Sequence, residues 1–329
     1  MNQNLRAIAH VAIGILLLYG CVRTASTEVA APSLKSWSQG NHVLSIAVGG
    51  LERRYVVHVP RDYGHNSLWP VVIIFHGGGG TARAVMWETG FAEKADQEGF
   101  LAVFPEGTAP DPSGPGRFIG NPQTWNDGSE RKIGAVERSV ADVEFVFAMI
   151  GDLKERFNVD ERRIYATGFS NGASMSFRIA RELSPVIAAV APVAGSDWLY
   201  RKRPDRAVPL LYITGTADPL NPLKGGEIRI GAKSYGKKPP IQEMIARWVK
   251  LHGCQAEPRV VYNREKAKAV AYYRAHGTET VILYTIDGHG HHWPGGKSVL
   301  PEKTAGKNTA KLKATVIIWD FFKARSLPN

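Results

Sequence analysis

The chain has 329 residues, 44% of them hydrophobic and 22% charged, with a formal net charge of +11. That length can bury a full core in one large α/β domain, and the balance excludes both wholesale disorder and a multi-span membrane protein. The basic residues are dispersed, with no aromatic-interleaved basic run and no nucleic-acid motif. They read as surface charge, so no nucleic-acid partner is expected.

Residues 1–20, "MNQNLRAIAHVAIGILLLYG", carry one early positive charge and an apolar run too short for a comfortable membrane span. They are expected to be a secretory signal, which predicts an exported protein, extracellular or periplasmic. The run closes on "LLYGC", so Cys21 is a candidate for lipidation and membrane anchoring, beside plain cleavage or an uncleaved anchor. Residues 21–48 are expected to be a linker and 49–325 the catalytic domain. Cys254 in "LHGC", the other cysteine, reads as a small buried residue near a helix end.

From residue 53 strand-like and helix-like segments alternate. "RRYVVHVP", "PVVIIFHG" and, after the helical "FAEKADQEG", "FLAVFPEG" are β-rich runs closed by proline or glycine. Residues 106–136 are rich in proline and glycine and too long for an ordinary connection, hence functional or mobile. "SVADVEFVFAMIGDLKERF" predicts a helix with Val143, Phe147, Ile150 and Phe157 on one buried face. Strand "RIYATGF", a helix from Asn171, strands "VIAAVAPVAG" and "VPLLYITG", helix "IQEMIARWVKLHG", strand "TVILYTIDG" and a last helix near "KATVIIWDFFKA" follow. The alternation predicts a mostly parallel sheet with helices on both faces.

"GFSNG" falls where a buried strand hands over to a helix. A nucleophile held at such a turn needs strained backbone angles, and side chains two positions either way would collide with neighbouring elements, so both glycines are required. Ser170 is the candidate nucleophile, and the amide of Asn171 points where an oxyanion would form. "FHGGGG" after an early strand offers a second oxyanion donor, the amide of Gly78 with Gly77 as the fallback; no lysine and Ser/Thr follow, as a phosphate loop would need. Asp218, in a proline-stiffened turn beyond a strand, is the candidate acid and Asp197 its competitor. "YTIDGHGHHWPGG" offers His289, His291 and His292 as bases, and spacing does not choose among them. A rival reading has Asp287, His289 and His291 bind a divalent metal.

From about residue 50 to its end the chain resembles the secreted esterase group that includes polyhydroxybutyrate depolymerases and feruloyl and acetylxylan esterases. The likeness lies in "HGGGG", "WNDG", "DVEFV", "YATGFSNGASM", "GTADPLNPLKGG" and "YTIDGHGHHWPGG". It implies the α/β-hydrolase fold and a serine carboxylic ester hydrolase acting through a Ser170–Asp218–His291 triad and an acyl-enzyme. Short-chain, hydroxyalkanoate or feruloyl and acetyl-polysaccharide esters are the implied substrates, with no cofactor. The group's late motif places the base at His291, and His289 stands where the group usually has glycine. A cysteine pairing common in the group would join Cys254 to position 276, which is histidine here. Trp125 and Trp293 are candidates to stack on an aromatic acyl group or a sugar, although tryptophans packed as core look identical in sequence. A peptidase with the same triad, or a non-catalytic envelope binding protein, are the alternatives.

Overall fold

The computed structural model describes residues 37–328 other than 65, 132–133, 231–232, 276 and 278. The expected signal, Cys21, the first part of the expected linker and His276 lie outside the described residues. β1 (Gly40–Val48) and β2 (Leu51–Val59) form an antiparallel hairpin, paired from Gly40 with Val59 to Val48 with Leu51. β1 therefore occupies part of the stretch expected to be linker. Its side chains alternate between half-buried and exposed, as one face of an edge strand requires, and that weak alternation reads as polar tether in sequence.

β3 (Trp69–Phe75), α1 (Ala82–Thr89), α2 (Phe91–Glu98) and β4 (Leu101–Pro105) follow, then α3 (Gly134–Glu137), α4 (Asp142–Arg156), β5 (Val159–Phe169), α5 (Asn171–Glu182), β6 (Ala189–Val193) and β7 (Leu210–Gly215). β8 (Gly226–Ile230) and β9 (Lys233–Lys238) pair only with each other, as a hairpin inside the segment 223–240 whose structure sequence does not reveal. α6 (Ile241–Leu251), β10 (Arg259–Arg264), β11 (Ala267–Tyr273), β12 (Glu279–Ile286), α7 (Glu302–Ala305) and α8 (Ala314–Lys323) complete the chain. Among the described residues no helix is long and apolar enough to cross a membrane.

Ten strands make one sheet in the order β1-β2-β4-β3-β5-β6-β7-β12-β11-β10. The six from β4 to β12 are parallel and the two at each edge are antiparallel. The buried central strands read as continuous apolar runs because both faces are covered. Val71, Ile73 and Phe75 of β3 pack with α4, α5 and α6, while Val72 and Ile74 pack with α1, α2 and α8 on the opposite face.

The helix expected around residues 139–157 forms, and of the four residues expected on its buried face Ile150 and Phe157 are buried and Val143 packs against the core, while Phe147 is not. Asp142, Phe145, Val146, Met149, Ile150 and Leu153 point inward, while Phe147 is 59% exposed. Asp142 is buried as well, its carboxylate accepting from Arg53 at 2.7 Å and from the Asn126 N–H at 2.7 Å.

Parallel strands put their carboxyl ends at one edge, and loops leaving that edge build sites. β3, β5, β7 and β12 deliver residues 76–80, Ser170, Asp218 and His291 to it.

Candidate active site

Ser170 sits between β5 and α5 with φ 56° and ψ −115°, a backbone that side-chain-bearing residues rarely adopt. The flanking glycines are there for space. A Cβ on Gly168 would stand 2.6 Å from the Gly172 carbonyl and 2.8 Å from Phe75 O, and one on Gly172 would overlap the carbonyl oxygens of Phe75 and His76. Strand β3, strand β5 and helix α5 approach this closely only where no side chain intervenes. The turn is held by the Ser170 N–H, which donates to Val193 O at 3.0 Å.

β7 and β12 are adjacent and parallel, so the turns after them emerge side by side. The Ala217 N–H donates to His289 O at 3.1 Å, tying one turn to the other. There the His291 Nδ1–H donates to Asp218 Oδ2 at 2.7 Å, with both side chains buried. Asp218 Oδ1 accepts from the N–H groups of Leu220 and Asn221, each at 2.8 Å. Burial pushes the Asp218 carboxyl up, but His291, Lys238 and the Leu220 N–H outweigh it and hold it below the usual carboxylate range. The His291 ring lies on that of Phe169, centroids 4.7 Å apart, one residue before Ser170.

The other two histidines of the cluster have work elsewhere. His289 Nδ1 accepts from the N–H groups of Thr309 at 3.1 Å and Ala310 at 3.2 Å, and its Nε2 donates to His292 O at 3.2 Å. His292 Nε2–H donates to Gly306 O at 2.8 Å, and its Nδ1 meets the Ser298 hydroxyl at 2.6 Å. Both pin the loop that carries His291. The metal reading loses its geometry as well: His289 spends both ring nitrogens on backbone and Asp287 Oδ1 accepts from Thr216 Oγ1 at 3.3 Å. Asp197, the competing acid, is locked by Arg181, which donates to both of its carboxylate oxygens at 2.6–3.0 Å, and by Trp248 Nε1–H at 2.9 Å.

The glycine loop after β3 stands over the Ser170 turn. A Cβ on Gly77 would lie 3.5 Å from Ser170 Cβ, and one on Gly78 3.7 Å from Asn171 Cβ. Gly79 and Gly80 spend their N–H groups on Gln123 O at 2.7 Å and Gly77 O at 2.9 Å, leaving the Gly77 and Gly78 amides as the loop's candidate donors. His76 fixes the loop. Its Nδ1–H donates to Gly77 O at 2.7 Å and its Nε2 accepts from the Gly107 N–H at 2.9 Å, which sets the neutral tautomer. Burial pushes the imidazole down to about 4.

Trp125 and Trp293 need correction. Both are 0% exposed. Trp125 Nε1–H donates to His76 O at 2.9 Å and its ring packs on Phe75. Its backbone clamps the Asn171 side chain: the Trp125 N–H donates to Asn171 Oδ1 at 2.7 Å, and Asn171 Nδ2 donates to Trp125 O at 3.2 Å and to Asp127 Oδ2 at 3.0 Å. Trp293 Nε1–H donates to Thr315 Oγ1 at 3.0 Å beneath Phe91. A ring whose polar tip finds an internal partner is free to bury its whole apolar area, so neither tryptophan offers surface to a substrate.

An exposed aromatic beside the glycine loop is Phe118. A Cβ on Gly79 would stand 2.8 Å from its ring, which is 54% exposed beside Ile119 at 85%. An apolar pair inside the glycine- and proline-rich stretch 106–136 is the sequence signal that points to it. His76, Asp127 and Lys238 were missed as well; the first two stand inside "HGGGG" and "WNDG", while Lys238 looks like one more surface lysine.

The dienelactone hydrolase family model matches residues 60–271, which include Ser170 and Asp218 and end before His291. An esterase-named protein of Nocardia uniformis subsp. tsuyamanensis, NocK, is 28% identical over 293 residues, 84% of this chain and 80% of its own length. Feruloyl esterase B of Piromyces equi is 30% identical over 290 residues, again 84% of this chain but 46% of its own. Of solved structures, the acetyl xylan esterase of Aspergillus awamori superposes with a TM-score of 0.55 at 13% identity, covering 76% of this chain and 94% of that one. The Ser170 turn, glycine loop and histidine turn thus share one sheet edge with a family match that spans most of the domain, and the chain belongs to the dienelactone hydrolase family as a carboxylic ester hydrolase of the α/β-hydrolase fold.

Proposed function

We propose that the chain hydrolyses carboxylic esters through an acyl-enzyme on Ser170. The observation that carries the reading is the Asp218–His291 pair at 2.7 Å, set against Phe169 beside a strained Ser170. His291 Nε2 takes the proton of the Ser170 hydroxyl as Oγ attacks the ester carbonyl. The N–H groups of Asn171 and Gly78, or Gly77 in its place, receive the oxyanion. Asp218 holds the imidazole tautomer and steadies its cation. His291 then gives the proton to the departing alkoxide, and water, activated by the same imidazole, releases the acid.

Relatives named feruloyl esterase, acetylxylan esterase and poly(3-hydroxyalkanoate) depolymerase support feruloyl, acetyl-polysaccharide, hydroxyalkanoate or short-chain esters as substrates. Phe118 and Ile119 supply the apolar wall for the non-reacting part of the substrate. Export rests on residues 1–20 alone. The test is hydrolysis by the chain lacking residues 1–21 of short p-nitrophenyl esters, methyl ferulate, acetylated xylan and 3-hydroxybutyrate oligomers, beside Ser170→Ala. Turnover lost in that variant is expected; equal rates in both proteins would overturn the reading.

A further inference from the structure

The Oδ1 edge of Asp218 is backed by a residue that the reaction scheme does not use. Asn221 is buried and gives its backbone N–H to Asp218 Oδ1 at 2.8 Å and its Nδ2 to the Tyr212 hydroxyl at 2.8 Å. Its remaining oxygen, Oδ1, accepts from Lys238 Nζ at 2.9 Å. Lys238 is the last residue of β9, so the hairpin that stands outside the main sheet reaches back to the base of the site. Three charged groups lie around its ammonium: Asp218 in the turn after β7, and Asp127 and Arg131 from the loop beneath Asn171. Asp127 is already engaged by Arg131, at 2.6 Å, and by Asn171. On the His291 side His289 adds no charge: its Nδ1 accepts from the Thr309 and Ala310 N–H groups, and burial pushes the imidazole down.

The arrangement matters because of what it avoids. A lysine in direct contact with Asp218 would compete with His291 for the carboxylate. Placing a neutral amide between them lets the ammonium act on the carboxylate through space and leaves Oδ2 free for the imidazole. Desolvating an ammonium without a contacting carboxylate is costly, which pushes Lys238 down to about 8 and argues against a purely stabilising role. Below that pH it carries its charge.

We propose that Lys238 is a positioning residue for ester hydrolysis, fixing the Asp218 carboxylate through Asn221 and opposing, by its charge, protonation of the Asp218–His291 pair. The inference rests on the serine mechanism above.

The experiment is the rate at which a fluorophosphonate labels Ser170, followed across the acid limb in wild type, K238M and K238R. Removing the charge should move the midpoint of the limb up by about one pH unit, the effect of a unit charge on the order of 10 Å away at an effective dielectric of about 20. K238R should keep the wild-type midpoint. A lysine that only supports the fold would lower the rate equally at every pH, and an unmoved midpoint in K238M, or an equal move in K238R, would overturn the proposal. Where K238M does not fold, K238Q serves the same comparison. Wild type that takes no label, or S170A that takes as much, would bring down the serine mechanism itself, a result visible before any lysine variant is read.

Discussion

Ser170 holds its unusual backbone because Gly168 and Gly172 let three elements close around it, so these positions should tolerate no side chain. Gly172→Ala is expected to cost at least about 2–3 kcal/mol in denaturant unfolding, because the atoms in the way are backbone and have nowhere to go. A loss below about 0.5 kcal/mol would show that the turn relaxes. The strained Ser170 turn and its glycines were legible in the sequence because the steric demand is local. Spacing alone did not choose among His289, His291 and His292, and only the family likeness pointed to His291; what separates the three is where their ring nitrogens go, and the partners of the other two come from Thr309, Ala310 and Gly306. The tryptophans mislead for the same reason: a motif places a ring near a site but does not say which way it turns.

At the level of elements, the loop 106–131 stands beside the candidate site. Its base is tied down by the Thr108–Thr124 bridge and by Gly79 N–H on Gln123 O, and its arm by Asn121, whose side chain donates to Asp111 O at 2.9 Å and to Pro115 O at 3.2 Å. A loop so braced can hold Phe118 and Ile119 out in solvent. Phe118→Ser should reduce kcat/KM for aryl esters by roughly 5- to 20-fold, the worth of one aromatic contact, and leave short acetyl esters near wild type. An equal fall for both substrates would mean that Phe118 supports the oxyanion loop rather than the substrate. The sequence made the central strands plain, because burial on both faces leaves continuous apolar runs. It hid β1, β10 and β11, edge or near-edge strands whose alternation is shallow or irregular, and on α4 it put Phe147 inside, where the structure leaves it exposed.

The molecule as a whole should be acid-sensitive. Burial pushes His76 and His252 down from 6.5 to about 4, so each binds its proton more weakly folded than unfolded. Their contribution is complete above about 6.5, shrinks as pH falls from there and levels off below about 4, amounting to on the order of 3 kcal/mol each. Asp218, held below the usual carboxylate range, adds a loss of the same sign at lower pH still. Unfolding free energy measured by denaturant between pH 7 and 4 should fall steadily, and His76→Gln should flatten that fall; an unchanged slope would sever the link. Arg53 and Asp142 form a buried pair at 2.7 Å, and Asp142→Ala, which strands the guanidinium, should cost about 3–5 kcal/mol by the same measurement, with a cost below 1 kcal/mol counting against it. The most direct test of the central claim is mass spectrometry of protein quenched early in the hydrolysis of a p-nitrophenyl ester. The acyl mass is expected on the tryptic peptide 164–178, which contains Ser170, and should be absent from Ser170→Ala. Full turnover with the acyl group on another peptide, or undiminished turnover in Ser170→Ala, would contradict the account.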